Sequence, residues 1–389
     1  MEAANVDSAP ARFQGDSRRV EPMSNEARAT ELPPAKVATT KEGQRSRDAS
    51  IDVARGVAVF GIVLTHVLRG LNAGHLLGHA AWFPEVDRVL CIWELSVFAF
   101  LSGIFVAKSL GKRSLGRYLQ ERTFQFLAIY VIWTVVQGSV QLLASHLVNN
   151  PSSMGMLFRF WAPTGQLWYL PFLAIATLVF VPMRPWQSER APWVLGLAAV
   201  ISIALWGLDL GMIGTQGLGL IVFFVGGMIL GVDRLQSGLR KIPSVAAGAG
   251  GLGLFAFGTF IAVVTHATPP TAGWVSRTVA TVGVGVALSV AMSAAVLLFA
   301  RATRSWSILA LCGRRSLDIF LAHIIMASGC RIILVMLGIH SVVVLVAACF
   351  IAGVAGSLLL STVLRRVGLA WVFDGPKLPT RREERSRPV

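Results

Sequence analysis

Charge is what this chain lacks. Only 14% of its 389 residues are Asp, Glu, Lys or Arg, while 54% are hydrophobic. A soluble domain carries about 25% charge, so a soluble globular enzyme is excluded. Acid is the scarcer sign, with 20 acidic against 35 basic residues and a net charge of +15. The basic residues fall in short loops between apolar runs, not on an aromatic-interleaved soluble face, which argues against nucleic-acid binding. Cysteine is also sparse. Cys91, Cys312, Cys330 and Cys349 lie in or beside apolar segments without paired spacing, so neither a zinc motif nor a disulfide framework is expected. His75 and His79 sit four apart but in a Gly-rich loop, and no other ligand spacing suggests a metal. Gly-x-Ser-x-Gly elbows, Walker loops and dinucleotide fingerprints are missing too, so no bound cofactor is expected.

What the chain has instead is length of apolar sequence. Many runs exceed the roughly 18 residues needed to cross a bilayer, which makes the fold class all-α and polytopic. Ten segments stand out, near 51–69, 88–107, 122–145, 165–182, 192–208, 213–232, 243–264, 277–300, 316–337 and 341–363. Residues 1–50 mix acids, bases, Pro and Ser without periodicity, as a disordered tail would. They lack the order of a signal peptide, so insertion is expected to rely on the first spanning helix. Residues 51–364 form the membrane domain, and 365–389 read as a basic tail. Lys and Arg concentrate in both tails and in alternate loops, which predicts cytoplasmic termini and an even number of spans. The expected location is the cell membrane.

The pivotal stretch is Ile51 to Arg69, apolar enough to span yet carrying Asp52, Arg55, His66 and Arg69. Ionisable groups in a spanning helix face a protein interior or an aqueous cavity. Arg55 and His66 are eleven residues apart, so they share a helix face about 20° past three turns and sit roughly 16 Å apart along the axis. One face thus offers a fixed cation near the inner surface and a titratable imidazole toward the outer half. Structural alternatives stand beside this reading, with Arg55 as an interfacial anchor and His66 as a hydrogen-bonded core histidine.

Asp52-x-x-Arg55-Gly followed by an apolar run to His66 resembles the first helix of the membrane-bound acyltransferase 3 family. Further motifs agree in order and depth. Phe98-Ala-Phe-Leu-Ser102-Gly103 resembles the family's second-helix signature, and Phe223-Phe-Val-Gly-Gly-Met another of its segments. Gly313-Arg-Arg-Ser-Leu-Asp-Ile-Phe-Leu-Ala-His323 resembles its ninth-helix entrance. Two positions depart, with Ala128 where proline is usual and Gln166 where histidine is frequent. The resemblance spans all ten segments and implies an O-acyltransferase. Its donor would be cytoplasmic acyl-CoA, most simply acetyl-CoA, and its acceptor a hydroxyl, commonly on a sugar or glycan of the envelope.

Candidate site residues follow from both lines. His66 is a general base or transient acyl carrier, and Glu94, at similar depth in the second helix, an orienting partner for it. Arg55, Lys112, Arg113, Arg117 and Arg122 would bind the donor's phosphates, a role suited to arginine forks. Lys112 and the three that follow it also fit the charge rule alone. Asp52, Ser102, Trp168, His323 and Arg331 complete the candidate substrate-binding set. Ser102 with Gly103 allows close helix approach, and Trp168 fits an aromatic belt. The rival class is a transporter whose buried Asp, Glu, His and Arg relay protons, against which no inverted repeat is visible. Acceptor identity, acyl length and oligomeric state are not written in the sequence.

Overall fold

The computed structural model describes residues 49–78, 80–111, 113–144, 155, 158–271 and 277–376. Residues 1–48 and 377–389, His79, Lys112 and His146 lie outside the described residues, while the start of the expected basic tail, 365–376, is described and includes a helical turn. Every regular element in the described residues is helical.

The chain begins with α1 (Ser50–Ala73), crosses back as α2 (Phe83–Gly103) and turns through the short α3 (Val106–Leu110) into the long α4 (Leu115–Leu143). α5 (Tyr169–Phe180) and α6 (Ala191–Ala204) follow, then α7 (Ile221–Arg240), α8 (Ser244–Thr265), α9 (Val279–Ala302) and α10 (Ser307–Arg314). α11 (Ser316–Met336), α12 (Val342–Ile351), α13 (Ser357–Arg366) and the single turn α14 (Trp371–Asp374) complete it. Among the described residues eight helical stretches are long and apolar enough to span a bilayer, counting Val342–Arg366 as one. The fourth and fifth expected segments form helices of only 10–17 residues, Gly165–Phe180 and Ala191–Ala204. All ten expected segments are therefore helical, eight of them of spanning length and two shorter. α10 has no counterpart among the expected segments. It is an amphipathic helix of about two turns that the eight-to-nine connection folds against α1.

α1 and α2 are the most enclosed spans, with 72% and 78% of their apolar windows buried, against 22% for α8. α1 packs on α2, α9, α10, α11 and α12. Glycine makes these approaches possible, because a Cβ would occupy space already taken by a neighbouring backbone. A methyl on Gly56 would stand 2.2 Å from the Leu309 carbonyl oxygen, and one on Gly313 would stand 1.6 Å from that of Asp52. The α2–α7 contact is reciprocal: Gly103 lies against the Phe224 carbonyl and Gly227 against that of Phe100. Two motifs recognised separately in the sequence, Ser102-Gly103 and Gly226-Gly227, thus meet as one small-residue crossing.

Three interruptions bring irregular backbone into the bundle. α2 ends at Gly103 and α7 breaks at Gly231, whose φ of 67° and ψ of 160° suit glycine alone. The breaks meet, since the Val232 N–H donates to the Ile104 carbonyl at 3.1 Å. The third lies between α12 and α13, where Ala352–Gly356 forms a π-turn. There Gly353 faces Val63 of α1 and the His323 Cβ of α11, so the widened turn sits beside a titratable residue, as such turns often do.

Candidate active site

α1 runs unbroken from Ser50 to Ala73, so the Arg55–His66 spacing holds as a true helical repeat. The surroundings of the two residues differ. Arg55 donates to the Leu101 carbonyl at 3.0 Å and lies over the Phe105 ring, 5.0 Å from its centroid. It therefore meets the carbonyl end of α2 where that helix breaks, a place that favours a cation. Beside it Ser102 donates to the Phe98 carbonyl at 2.8 Å, which leaves the Tyr169 hydroxyl to donate to Ser102 across 3.3 Å.

His66 sits three turns further on. Its Nδ1 is 3.0 Å from the Ile62 carbonyl. A carbonyl can only accept, so Nδ1 carries the proton and the lone pair of the neutral ring belongs to Nε2. His323, from α11, is held in the same tautomer: its Nδ1 meets the Ile319 and Phe320 carbonyls at 3.0 and 2.8 Å. The two imidazoles stand edge to face with centroids 5.0 Å apart. His323 is fully buried, and its Nε2 has no hydrogen-bond partner among the described residues. Paired imidazoles are the feature that residue-by-residue reading missed, because contact between the first and ninth segments has no sequence period.

A cavity of about 660 Å³ reaches His66, walled by α1, α4 and α11 and bearing Arg69, Gln137, Gln141 and Arg331. That volume is within the ~300–1,000 Å³ of small-molecule sites. Arg55 is not among its lining residues. Between Arg55 and the imidazoles runs a packed aromatic column, with Phe98, Tyr169 and Phe320 in mutual ring contact and Phe320 in turn against His323. A second cavity of about 700 Å³ occupies the opposite face of α1, among Val57, Gly61, Leu64 and Trp93. It is apolar and bears no titratable side chain, so size alone does not mark the chemistry.

The remaining candidates separate into three groups. Arg331 joins His66 on the cavity wall. Glu94 is buried and accepts from Thr65 Oγ1 at 2.7 Å, while the Nδ1 of His66 is taken by Ile62. The orienting hydrogen bond expected of Glu94 is thus made by a backbone carbonyl, and Glu94 reaches His66 only through the neighbouring Thr65. Asp52 packs at the α1–α10 crossing, 3.8 Å from Arg314. The arginine cluster is engaged with other side chains: Arg113 and Arg117 share Glu121, at 2.8 and 2.5 Å. Arg122 bonds Gln125 at 2.9 Å and covers Tyr118. Trp168 packs on Tyr169 and Phe172 against Gly217. Gln166, where the family often has histidine, donates to the Phe320 and Leu321 carbonyls at 3.2 Å each. The side chain there thus ties α5 to the histidine-bearing helix. Gln137 was overlooked, though a buried amide in an apolar run was a visible signal. Among the described residues no group of three or more His, Cys, Asp or Glu could hold a metal.

A membrane-spanning helical bundle with two apposed imidazoles beside a half-open cavity defines the class, and sequence comparison gives the family. The family described as an acyltransferase domain matches residues 48–362, and the chain belongs to this acyltransferase 3 family. It is also similar to the nodulation protein NolL of Sinorhizobium fredii (strain NBRC 101917 / NGR234). The two are 20% identical over 185 residues, 47% of this chain and 48% of that protein, so the match spans about half the length of the relative. No solved structure gives a significant match.

Proposed function

We propose that this protein moves an acyl group, most simply acetyl, from acyl-CoA to a hydroxyl of a sugar, glycan or other envelope acceptor in the cell membrane. The observation that carries the reading is the fixed tautomer of His66, which leaves Nε2 as a base on the wall of the 660 Å³ cavity. The acceptor's O–H gives its proton to Nε2 as the oxygen attacks the thioester carbonyl. Collapse of the tetrahedral intermediate breaks the C–S bond, and the departing sulfur takes the proton back from Nε2–H. In the covalent variant Nε2 itself attacks the thioester and expels the CoA thiolate; the acceptor oxygen then breaks the Nε2–acyl bond, and the proton of its O–H passes to the thiolate. Both schemes need the same nitrogen, and both regenerate it.

The donor is proposed to approach from the Arg55 end, where α2 leads through α3 to the start of α4 and Arg113, Arg117 and Arg122 outnumber Glu121, giving a positive field for phosphates. To meet His66, the thioester arm must pass the Phe98–Tyr169–Phe320 column, so those rings act as a gate between donor and acceptor sides. The acceptor would enter the cavity from the end bearing Arg69 and Arg331. The deciding experiment uses purified full-length protein, labelled acetyl-CoA and a panel of hydroxyl acceptors. Thiol release coupled to acceptor labelling is expected, with both lost in His66→Ala. Turnover retained by that variant would end both schemes.

A further inference from the structure

Two kinds of arginine set a standard in this fold. Several face a carboxylate: Arg69 with Asp87, Arg88 with Glu85, Arg315 and Arg365 with Asp318. Others end on helix carbonyls. Arg277 bonds the Ile203, Ala204 and Trp206 carbonyls around the end of α6, and Arg301 bonds the Leu239 carbonyl at the end of α7 and the Ser244 hydroxyl at the start of α8. Both spread several donors over their partners.

Arg331 departs from both patterns. It is 7% exposed, and its hydrogen bond goes to one atom, the Gly70 carbonyl in the last turn of α1, with the distance 2.6 Å. Among the described residues no carboxylate lies within ion-pairing distance of it. The α1 terminus supplies about half a negative charge, which offsets part of the cation. A guanidinium carries five N–H donors in a planar fork, and one carbonyl uses one of them. The other donors of the fork are not among the buried unpartnered atoms of the fold; they open on accessible space, where water or an occupant of the cavity can pair with them.

The fork stands where an occupant would be. Arg331 lines the 660 Å³ cavity together with His66, and the two also share a small adjoining hollow. The other polar groups of the wall are donors or amphoteric, chiefly Arg69, Gln137, Gln141 and Ser328, and no acid is among the described lining residues. A cationic or simply apolar acceptor would leave this wall unsatisfied. The hydroxyl oxygens of a neutral sugar could accept from the fork but would leave its charge uncompensated, whereas an anion supplies both.

We infer that the acceptor handled by His66 is anionic, carrying a carboxylate or phosphate that Arg331 grips while the hydroxyl lies at Nε2. This deepens the acyltransferase reading and rests on it for the identity of the reacting group. Arg331 is then a specificity residue, and Arg69, already held by Asp87, adds field without a second grip.

The test uses full-length protein in nanodiscs of zwitterionic lipid, so that no anionic headgroup competes. D-glucose, D-glucuronate and glucose 6-phosphate serve as probes, followed by the shift in thermal midpoint and by acetyl transfer. At least one of the two anions should bind roughly tenfold or more tighter than glucose, the scale of a charge-assisted hydrogen bond. Which of them does so distinguishes carboxylate from phosphate. The preference should weaken with salt, vanish in Arg331→Gln and survive in reduced form in Arg331→Lys. Equal binding of glucose, or an unchanged preference in Arg331→Gln, overturns the inference. If the Gln variant does not fold, loss of the preference in a folded Lys variant overturns it equally. Abolition of the preference by saturating acetyl-CoA would move the anion site to the donor and refute it for the acceptor. His66→Ala separates the two layers. It should keep anion binding while losing transfer, and transfer by that variant would defeat the enzymatic reading whatever the probes do.

Discussion

The two ends of α1 make opposite uses of buried polarity. Around Arg55 everything is engaged: the guanidinium caps a broken helix, Ser102 and Tyr169 bond each other, and aromatic rings fill the space. Around His66 the same helix turns toward empty volume, with a second imidazole lacking an Nε2 partner and an arginine using one donor. Packing saturates the first region and leaves the second unfinished. The contrast teaches that two residues on one helix face need not share one environment. It also assigns chemistry to the unfinished end, because reaction needs groups whose bonding capacity is not spent within the fold.

The sharpest way to break this contrast is to remove the imidazole. His66→Ala should lower acyl transfer by about 10²–10⁴-fold, the range for a lost general base, with normal membrane yield and thermal midpoint. Measured turnover within tenfold of wild type would mean that the unfinished end is not the reacting one. The saturated end should instead answer through stability. Gly103→Leu drives a side chain into the Phe224 carbonyl across the α2–α7 crossing. Overpacking of this kind costs about 1–3 kcal/mol or more, read as a lowered midpoint and poor yield. A fully stable Gly103→Leu protein would show that the crossing is looser than the geometry requires.

Arg55 stands between these cases. Arg55→Ala removes both a helix-end contact and the proposed phosphate contact, so a raised acetyl-CoA KM of about tenfold is expected with a smaller change in kcat. Arg55→Lys keeps the charge but not the planar fork, and should recover part of that loss. A kcat defect with an unchanged KM would reassign Arg55 to the architecture of the α2 break alone.

How much of this was legible in the sequence depends on whether a feature is local. The membrane class and the shared face of Arg55 and His66 follow from composition and helical period. The close approach at Ser102-Gly103 was also visible, since small residues announce it. What was not legible is which residue each polar group meets. Glu94 and His66 lie at similar depth, but the bond goes to Thr65, one residue along the helix and facing α2. His323 read as an isolated mid-membrane histidine until tertiary packing set it 5.0 Å from His66. The break of α7 at Gly231 was legible as an ending, since a poor helix former precedes Asp233 and Arg234 where the expected segment stops, but not that the chain resumes as helix beyond it. α10 is shorter than any membrane segment, so a search for spans passes over it.

The smallest expected effect concerns Glu94 and tests whether charge or contact governs the His66 region. Its carboxylate accepts from Thr65 at 2.7 Å, and the amide oxygen of a glutamine can accept the same hydrogen bond. Glu94→Gln therefore preserves the contact while deleting the charge. Because the Ile62 carbonyl already fixes the tautomer of His66, kcat/KM should change by less than about threefold, below the 1.36 kcal/mol that marks a decade. Glu94→Ala, which also strands the Thr65 hydroxyl, should cost more, chiefly in stability, by about 1–3 kcal/mol. A loss of tenfold or more in the glutamine variant at unchanged stability would mean that the negative charge itself supports the imidazolium formed during transfer. Glu94 would then act on His66 through the field between α1 and α2, and not through the hydrogen bond it makes.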